Sequence, residues 1–338
     1  DELRGALDDL LTTVPATEDR GRPRLWVDRA FAARGAGTVV TGMLTDGVLR
    51  VGDEVEVQPA GVGARIRALQ NHHEEREELP PGTRCALNLV GVAHTQVQRG
   101  DVVVGPGQWH LATVVDASLR VLDQLDHSVS RRGAHVAYLG AGEHPVRMRI
   151  LGPEALGPGR EGSVRLFLPR ALPLLPGDRF VLRESGRAET VGGGCVLDVD
   201  PRERASRARP DRSVDRVVRE RGWVSSDELE RLTGERREPD VGQWVVDPEA
   251  LQTTLAGLRE ALDESGPLGV ELSSLDDYQR AAAVLLDETA VDGGRLRVTD
   301  TADPLVDHPF VAALEATPFA PPAPDGVDRV ELRELVRR

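Results

Sequence analysis

Two short segments of alternating apolar residues, separated by glycine turns, constrain the fold of this 338-residue chain more than any other feature. They lie in residues 25–52, LWVDRAFAARGAGTVVTGMLTDGVLRVG. Gly35 and Gly37 mark a bend between them, and Asp46 and Gly47 mark a second turn. Alternation with a period of two is typical of half-buried antiparallel strands, because successive side chains point to opposite faces. Taken alone, the pattern predicts a small β-barrel.

Short strand patterns continue to about residue 199 and fall into two groups of six. The first group is predicted at 25–31, 38–44, 54–58, 65–70, 84–89 and 102–104. The second group is predicted at 113–122, 134–139, 144–151, 162–167, 180–183 and 190–197. Six short strands without a helix between them are typical of a barrel. We therefore expect one barrel over 24–108 and a second over 109–201.

Helical periodicity flanks the two barrels. Residues 1–23 open with leucines at helical spacing, which predicts a helix. Residues 202–212 are polar and rich in arginine, which indicates a linker. Beyond it, short helices alternate with short strand pairs, and this predicts winged-helix units at 213–262 and 263–318 and the start of a third at 319–338. The predicted fold class is mainly β followed by α/β, with two β-barrels followed by tandem winged-helix domains.

All 42 basic residues of the chain are arginine, and this excludes a common nucleotide site. A phosphate-binding loop of the form GxxxxGK[ST] needs a lysine to reach the terminal phosphates. The two cysteines, Cys85 and Cys195, lack CxxC spacing, so neither a zinc site nor a disulfide is indicated. His72 and His73 are adjacent in a predicted loop and lack the spacing of metal ligands. We therefore expect no metal site and no catalytic residue.

The net charge of −14 is unevenly distributed. Residues 1–200 carry 23 arginines against 27 acidic residues, whereas residues 201–338 carry 19 against 29. Nucleic-acid affinity depends on neutralising phosphates, so the acidic C-terminal part is a poor candidate for a broad RNA or DNA surface. The sequence has no apolar run of 18 residues and does not open on a signal pattern, so we expect a cytoplasmic protein without a membrane partner.

Two segments resemble the selenocysteine-specific translation elongation factors, which belong to the elongation factor Tu group. GAGTVVTG, followed by a turn and residues 51–53, resembles the second domain of translational GTPases. Residues 177–201, GDRFVLRESGRAETVGGGCVLDVDP, resemble the third domain of the selenocysteine-specific factors. The resemblance implies that 24–108 and 109–201 are domains II and III, and that 1–23 is the last helix of a GTP-binding domain. The chain would then be a fragment without that domain and without the last winged helices.

This resemblance implies a function in translation. The family delivers selenocysteinyl-tRNA to a ribosome at recoded UGA codons in a GTP-dependent cycle. GTP and Mg²⁺ would be bound by the missing GTP-binding domain, and the selenocysteine-insertion hairpin of the mRNA by the missing winged helices. The chain itself is expected to hold no cofactor and to have no GTPase activity alone, because it has neither a P-loop nor an NKxD motif.

The resemblance also implies an aminoacyl pocket. In the family the pocket is lined by residues of a DRAF and an RxALN segment, which here are residues 28–31 and 84–88. The candidate pocket residues are Asp28, Arg29 and Arg84. Regular alternation would point Asp28 and Arg29 to opposite faces, so both reach one pocket only where the strand is irregular.

The candidate residues suit the chemistry that the resemblance implies. A selenol is more acidic than a thiol and is ionised at neutral pH, whereas the serine of the precursor aminoacyl-tRNA is neutral. Two guanidinium groups oriented by a carboxylate would favour the anion and leave a positive charge unmatched beside serine. The alternative for Asp28 and Arg84 is an ordinary salt bridge between strands.

Two other functions fit parts of the sequence. Another translational GTPase of the elongation factor Tu type would share the first barrel, but a general factor would end after the second barrel. A winged-helix nucleic-acid-binding regulator would explain residues 210–338 and leave the barrels without a role. The helix expected at 226–232 has three acidic residues and one arginine, which argues against a basic recognition helix.

Overall fold

The computed structural model describes residues 2–14, 17–33, 37–299, 304–317, 319–324 and 326–337. The chain forms two compact units, one of Asp1–Glu220 with Asp227–Arg237 and one of Arg221–Ser226 with Glu238–Arg338. The bend predicted at Gly35 lies outside the described residues. Both barrels belong to the first unit, as do helices α1 (Glu2–Thr13), α2 (Val214–Arg221) and α3 (Ser226–Thr233), apart from one terminal residue of each of α2 and α3.

The described residues of the first barrel region form nine strands, six of which build the barrel itself. Their bounds are β1 Arg24–Ala33, β2 Gly37–Thr45, β3 Leu49–Arg50, β4 Glu54–Gln58, β5 Val62–Asn71, β6 Glu74–Arg76, β7 Glu78–Leu79, β8 Thr83–Val90 and β9 Val102–Val104. The main strands pair in the order β4-β9-β1-β2-β8-β5, and β5 pairs back to β4. The sheet is therefore closed, which confirms the predicted barrel and its six strands.

The apolar residues of these strands fill the barrel. Leu25, Val27, Val40, Leu44 and Leu87 are fully buried in one cluster. Each such side chain contributes about 1.5–3 kcal/mol by leaving water. The apolar residues of the alternating sequence pattern thus form the inward face of β1, β2 and β8.

The second barrel follows directly. Its strands are β10 Leu111–Val121, β11 Val129–Ser130, β12 His135–Leu139, β13 Gly142–Leu151, β14 Ala155–Leu156, β15 Glu161–Pro173, β16 Arg179–Glu184 and β17 Glu189–Asp198. Six of them close in the order β10-β15-β13-β12-β16-β17, as predicted. The glycine run of β17 is required by this closure, because a Cβ at Gly194 would lie 1.9 Å from the carbonyl oxygen of Ser118 in β10.

The two barrels are joined by a buried arginine. Arg24 at the start of β1 donates two hydrogen bonds to the carboxylate of Asp178 in the second barrel, at 2.6 and 2.8 Å. Its Nε donates to Asp46 at 3.0 Å, and its guanidinium stacks over Trp109 with 4.6 Å to the ring centroid. Nearby, Trp26 lies against Gly140, where any Cβ would come within 2.0 Å of the indole ring.

The predicted linker is fixed to the second barrel. Arg216 in helix α2 (Val214–Arg221) is buried and binds Asp198 of β17 at 2.8 Å and Asp211 of the linker at 3.0 Å. Arg165 of β15 donates to the carbonyl of Glu203 at 2.9 Å. Residues 202–212 are therefore held by buried charges, and helix α3 (Ser226–Thr233) follows in the chain. Helix α1 (Glu2–Thr13), by contrast, has no buried residue.

The second unit is mixed. Its elements are β18 Trp223–Ser225, β19 Trp244–Val246, α4 Pro248–Ser265, β20 Val270–Glu271, α5 Asp277–Ala283, β21 Thr289–Asp292, β22 Arg295–Val298, α6 Pro309–Ala316 and α7 Arg329–Arg337. Three strands pair in the order β20-β22-β21, and α4 packs on them through Leu258 and Leu262. Helix α4 crosses the boundary predicted between 262 and 263. The tandem winged helices and their boundaries stay predictions.

No helix among the described residues combines the length and apolar character needed to cross a bilayer.

A buried histidine makes the stability of the second barrel depend on pH. His144 is buried. Burial and the charge of Arg170 lower its pKa to about 4, although a hydrogen bond to the carbonyl of Leu139 acts in the opposite direction. In the unfolded chain the same group has a pKa near 6.5, so the unfolded chain binds a proton first as the pH falls. We expect the free energy of unfolding to drop by about 2 kcal/mol between pH 7.5 and pH 5.

Urea denaturation at the two pH values measures this effect. His144→Asn keeps a donor for Leu139 and cannot titrate, so it should lose most of the pH dependence. Burial also lowers the pKa of His135, which should leave a smaller dependence in the variant. Equal losses in the variant and the natural protein would show that His144 is not the responsible group.

Candidate functional site

An irregularity in β1 positions the predicted site residues on one face of the first barrel. The pairing of β1 with β2 shifts register between Val27 and Arg29, which makes Asp28 an additional, bulged residue. Val27 and Ala30 both point into the core, so the two residues between them lie on the outer face. The bulge therefore brings Asp28 and Arg29 to the same side, where regular alternation would have separated them.

Arg84 of β8 reaches this face across β2. Its guanidinium forms an ion pair with Oδ2 of Asp28, and the hydroxyl of Thr41 donates to Oδ1 at 2.5 Å. The Arg84 side chain is 57% exposed, whereas that of Asp28 is 20% exposed. Asp28 is thus held from two neighbouring strands, and the guanidinium that it orients remains open to solvent.

The pKa of Asp28 reflects these contacts. Partial burial would raise it, but the hydrogen bonds from Thr41 and Arg84 and the charges of Arg84 and Arg29 hold the pKa below its usual range. Asp28 is therefore ionised at neutral pH. One carboxylate faces two guanidiniums, and the site carries an excess of positive charge.

Arg29 completes the predicted trio. It is exposed, lies opposite Thr41 in the register, and makes no ion pair within 4 Å and no side-chain hydrogen bond among the described residues. All three predicted residues share one surface. Asp28 and Arg84 are in direct contact, and Arg29 adds a charge without a matching carboxylate.

Several neighbours were not predicted as site residues. Thr41 holds Asp28, and Met43, which pairs with Arg84, is a half-exposed apolar residue. Phe31 and Val90 on the same face are also exposed, and the buried Oδ1 of Asn88 has no hydrogen-bond partner among the described residues. The face thus joins an apolar surface to a cationic centre.

A second basic feature lies on the second barrel. Arg131, Arg132 and Arg149 line a cavity of about 420 Å³, together with Glu154. None of the three arginine side chains forms an ion pair with a described residue. Unmatched guanidiniums at the surface of an acidic protein are suited to phosphate groups.

Two other kinds of site, a reactive cysteine and a metal centre, are not supported by the described residues. Burial raises the pKa of the Cys85 thiol to about 12, so this cysteine is not an activated nucleophile. Within the described residues, no group of three or more histidine, cysteine or acidic side chains is arranged to hold a metal ion.

Each barrel matches a family of known domains. Residues 37–104 match elongation factor Tu domain 2, and residues 117–203 match the β-barrel domain of selenocysteine-specific elongation factor. The crystal structure of a bacterial selenocysteine-specific elongation factor, EF-Sec, shares the fold with a TM-score of 0.71 at 19% identity, over 94% of this chain and 57% of that chain. The two barrels are therefore domains of the translation elongation factor type.

Comparison with curated relatives identifies the type of elongation factor more closely. The chain is 32% identical to the selenocysteine-specific elongation factor of Desulfomicrobium baculatum over 198 residues, 59% of this chain and 31% of that protein. It is 29% identical to elongation factor 1-alpha of Archaeoglobus fulgidus over 202 residues, 53% of this chain and 47% of that protein. The second barrel thus belongs to the β-barrel domain family of the selenocysteine-specific elongation factors. The chain spans about a third to a half of the length of these relatives.

Proposed function

We propose that this chain supplies the tRNA-binding barrels of a factor that delivers selenocysteinyl-tRNA to the ribosome at recoded UGA codons. The observation that carries the proposal is the outer face of the first barrel, where Arg29 and Arg84 face the single carboxylate of Asp28. A selenolate placed there would balance the second guanidinium. The neutral hydroxyl of serine would leave that charge unmatched, and this difference would give selectivity.

The GTP-dependent cycle and the mRNA hairpin belong to the proposal for the intact factor. GTP and Mg²⁺ would act through a GTP-binding domain, and the hairpin would be bound by winged helices beyond those predicted here. The strongly acidic composition of residues 201–338 favours a spacer role for the units in this chain, since acidic surfaces repel RNA.

The proposal is tested by the dissociation constants of selenocysteinyl-tRNA and seryl-tRNA, measured with the intact factor under identical conditions. Selenocysteinyl-tRNA should bind more tightly, and most of the difference should depend on the arginines of the site. Equal affinity for the two tRNAs would contradict the proposed discrimination.

The arginines of the second barrel give a separate prediction. We expect Arg131→Gln combined with Arg132→Gln to weaken the binding of every aminoacyl-tRNA alike, because these side chains would contact phosphates and not the amino acid. The slope of log affinity against log salt should fall by about one for each lost phosphate contact.

Nitrocellulose filter binding at several salt concentrations measures this slope. Arg50→Gln is the matched control, because Arg50 is an exposed arginine of the first barrel that is already paired with Glu78. An unchanged slope in the double variant would show that the arginines of this cavity do not contact tRNA.

A further inference from the structure

A second cavity in the first unit is lined mainly by charged side chains. It has a volume of about 260 Å³ and lies where residues 17–23, loop 105–110 and helix α3 meet. Its charged and amide-bearing lining residues are Arg20, Arg22, Gln108, Asp227, Glu230 and Arg231. The proposed tRNA-binding face does not include any of them.

Arg22 is the most deeply buried of these charges. It is 5% exposed, its Nη1 donates to the carbonyl of Glu230 and its Nη2 to the carbonyl of Gln108, both at 2.5 Å. Its guanidinium also stacks over Trp109, at 4.7 Å from the ring centroid. No described carboxylate forms an ion pair with it, and its buried Nε has no hydrogen-bond acceptor among the described residues.

The electrostatics confirm that this charge is poorly matched. Burial lowers the pKa of Arg22, and the attraction of Glu230 and Asp46 offsets only part of that effect. A buried cation without a paired anion is costly unless a counter-ion is supplied.

The other charged residues of the cavity do not neutralise the charge of Arg22. Asp227 and Glu230 are both bound by Arg236, at 3.1 and 2.7 Å. Arg20 is paired with Glu18 at 3.0 Å. Arg231, however, forms no ion pair with any residue that the structure describes. Two guanidiniums that line one cavity, those of Arg22 and Arg231, therefore lack a carboxylate partner.

We propose that this cavity binds a small free oxyanion of the phosphate class. Arg231 and Arg20 would donate hydrogen bonds to the ion, and its charge would offset that of Arg22. Because Arg22 already holds the carbonyl of Glu230 in helix α3 and that of Gln108 in the barrel loop, a bound anion would strengthen the attachment of this helix to the barrel. The site goes beyond the proposed function in translation.

Isothermal titration of the full chain with inorganic phosphate tests the proposal. We expect saturable binding at one site, and Arg231→Gln should weaken it roughly tenfold or more. Arg202→Gln is the matched control and should bind as the natural protein does, because Arg202 is a half-exposed arginine elsewhere in the same unit that is paired with Asp200. Arg22→Gln is a second variant that should also lose binding.

The melting temperature gives an independent reading, since a ligand that binds only the folded state raises it. Phosphate should raise it in the natural protein and in Arg202→Gln, and less so in Arg231→Gln. The absence of saturable binding, or equal affinity in Arg231→Gln and the control, would overturn the proposal.

A competition experiment separates the possible sources of the anion. A short single-stranded RNA without terminal phosphates offers phosphodiesters only. If it displaces phosphate in a manner that depends on Arg231, the site belongs to a nucleic-acid backbone and the assignment to a free ion is wrong. Aminoacyl-tRNA binding should not change in Arg231→Gln, so this test is distinguishable from that of the proposed function.

Discussion

Replacing Arg24 with methionine should lower the free energy of unfolding of the two-barrel unit by about 3–5 kcal/mol. Arg24 is buried between the barrels, where its guanidinium binds Asp178 through two hydrogen bonds and Asp46 through a third. Methionine fills much of the same volume but leaves the carboxylate of Asp178 without a cation. The cost is therefore that of an uncompensated charge more than that of lost packing.

Scanning calorimetry measures the loss as a fall in melting temperature of roughly 6–20 °C for a unit of this size. Arg50→Met is the matched control, because Arg50 and Glu78 form an exposed ion pair in the same barrel. Exposed pairs contribute about 0–1 kcal/mol. Adding Asp178→Asn to Arg24→Met should restore part of the stability, since it removes the unmatched charge. A loss as small as that of Arg50→Met would contradict the account of this junction.

Replacing Arg84 and Arg29 together with alanine should reduce the preference of the intact factor for selenocysteinyl-tRNA over seryl-tRNA by roughly 100-fold. Each guanidinium supplies charge that the selenolate can use and the hydroxyl cannot. Removing Arg84 also frees Asp28, whose carboxylate would then repel the anion. Seryl-tRNA should bind the variant almost as well as the natural protein.

Equilibrium binding with both tRNAs gives the ratio directly. Arg50→Ala controls for the loss of an exposed arginine from the first barrel. Thr41→Val is an informative second variant, because it removes the hydroxyl that holds Asp28 and leaves both arginines in place. We expect it to lower the ratio by less than the double variant does. If the ratio of the two affinities is unchanged after the loss of both arginines, other residues determine the selectivity.

The barrels could be predicted from the sequence because their strands are short, alternating and punctuated by glycine. The strands predicted at 54–58 and 102–104 have the observed bounds, and the other main strands differ at their ends by a few residues. Five two- or three-residue strands, such as β3 and β7, were missed because segments this short carry no periodic signal.

The site residues could be proposed only through the family resemblance, and their geometry could not be derived. Alternation separates Asp28 from Arg29, and the bulge that unites them is set by the pairing of β1 with β2. Thr41 was missed for the same reason, since its contact with Asp28 depends on the register between those strands. A search of the outer-facing positions of GTVVTG for hydroxyl donors would have found it.

The packing of the linker, residues 202–212, also could not be predicted from the sequence. Residues 202–212 have the composition of a solvated connector, yet Asp211 binds Arg216 and the Glu203 carbonyl accepts from Arg165. Arg165 is distant from Glu203 in the chain, and Arg216 is itself fixed by Asp198 of the second barrel. Local composition contains no information about such contacts.

The charge-based account is tested most directly by comparing seryl-, cysteinyl- and selenocysteinyl-tRNA bound to the intact factor between pH 6.5 and pH 8.5. Cysteine has nearly the size of selenocysteine, but its thiol ionises only near pH 8.5. The account predicts that cysteinyl-tRNA binds weakly, as seryl-tRNA does, at the lower pH and gains affinity as the thiol ionises, while selenocysteinyl-tRNA binds tightly throughout. If cysteinyl-tRNA binds as tightly as selenocysteinyl-tRNA at pH 6.5, size and not charge selects the amino acid, and the role assigned to Asp28, Arg29 and Arg84 is wrong.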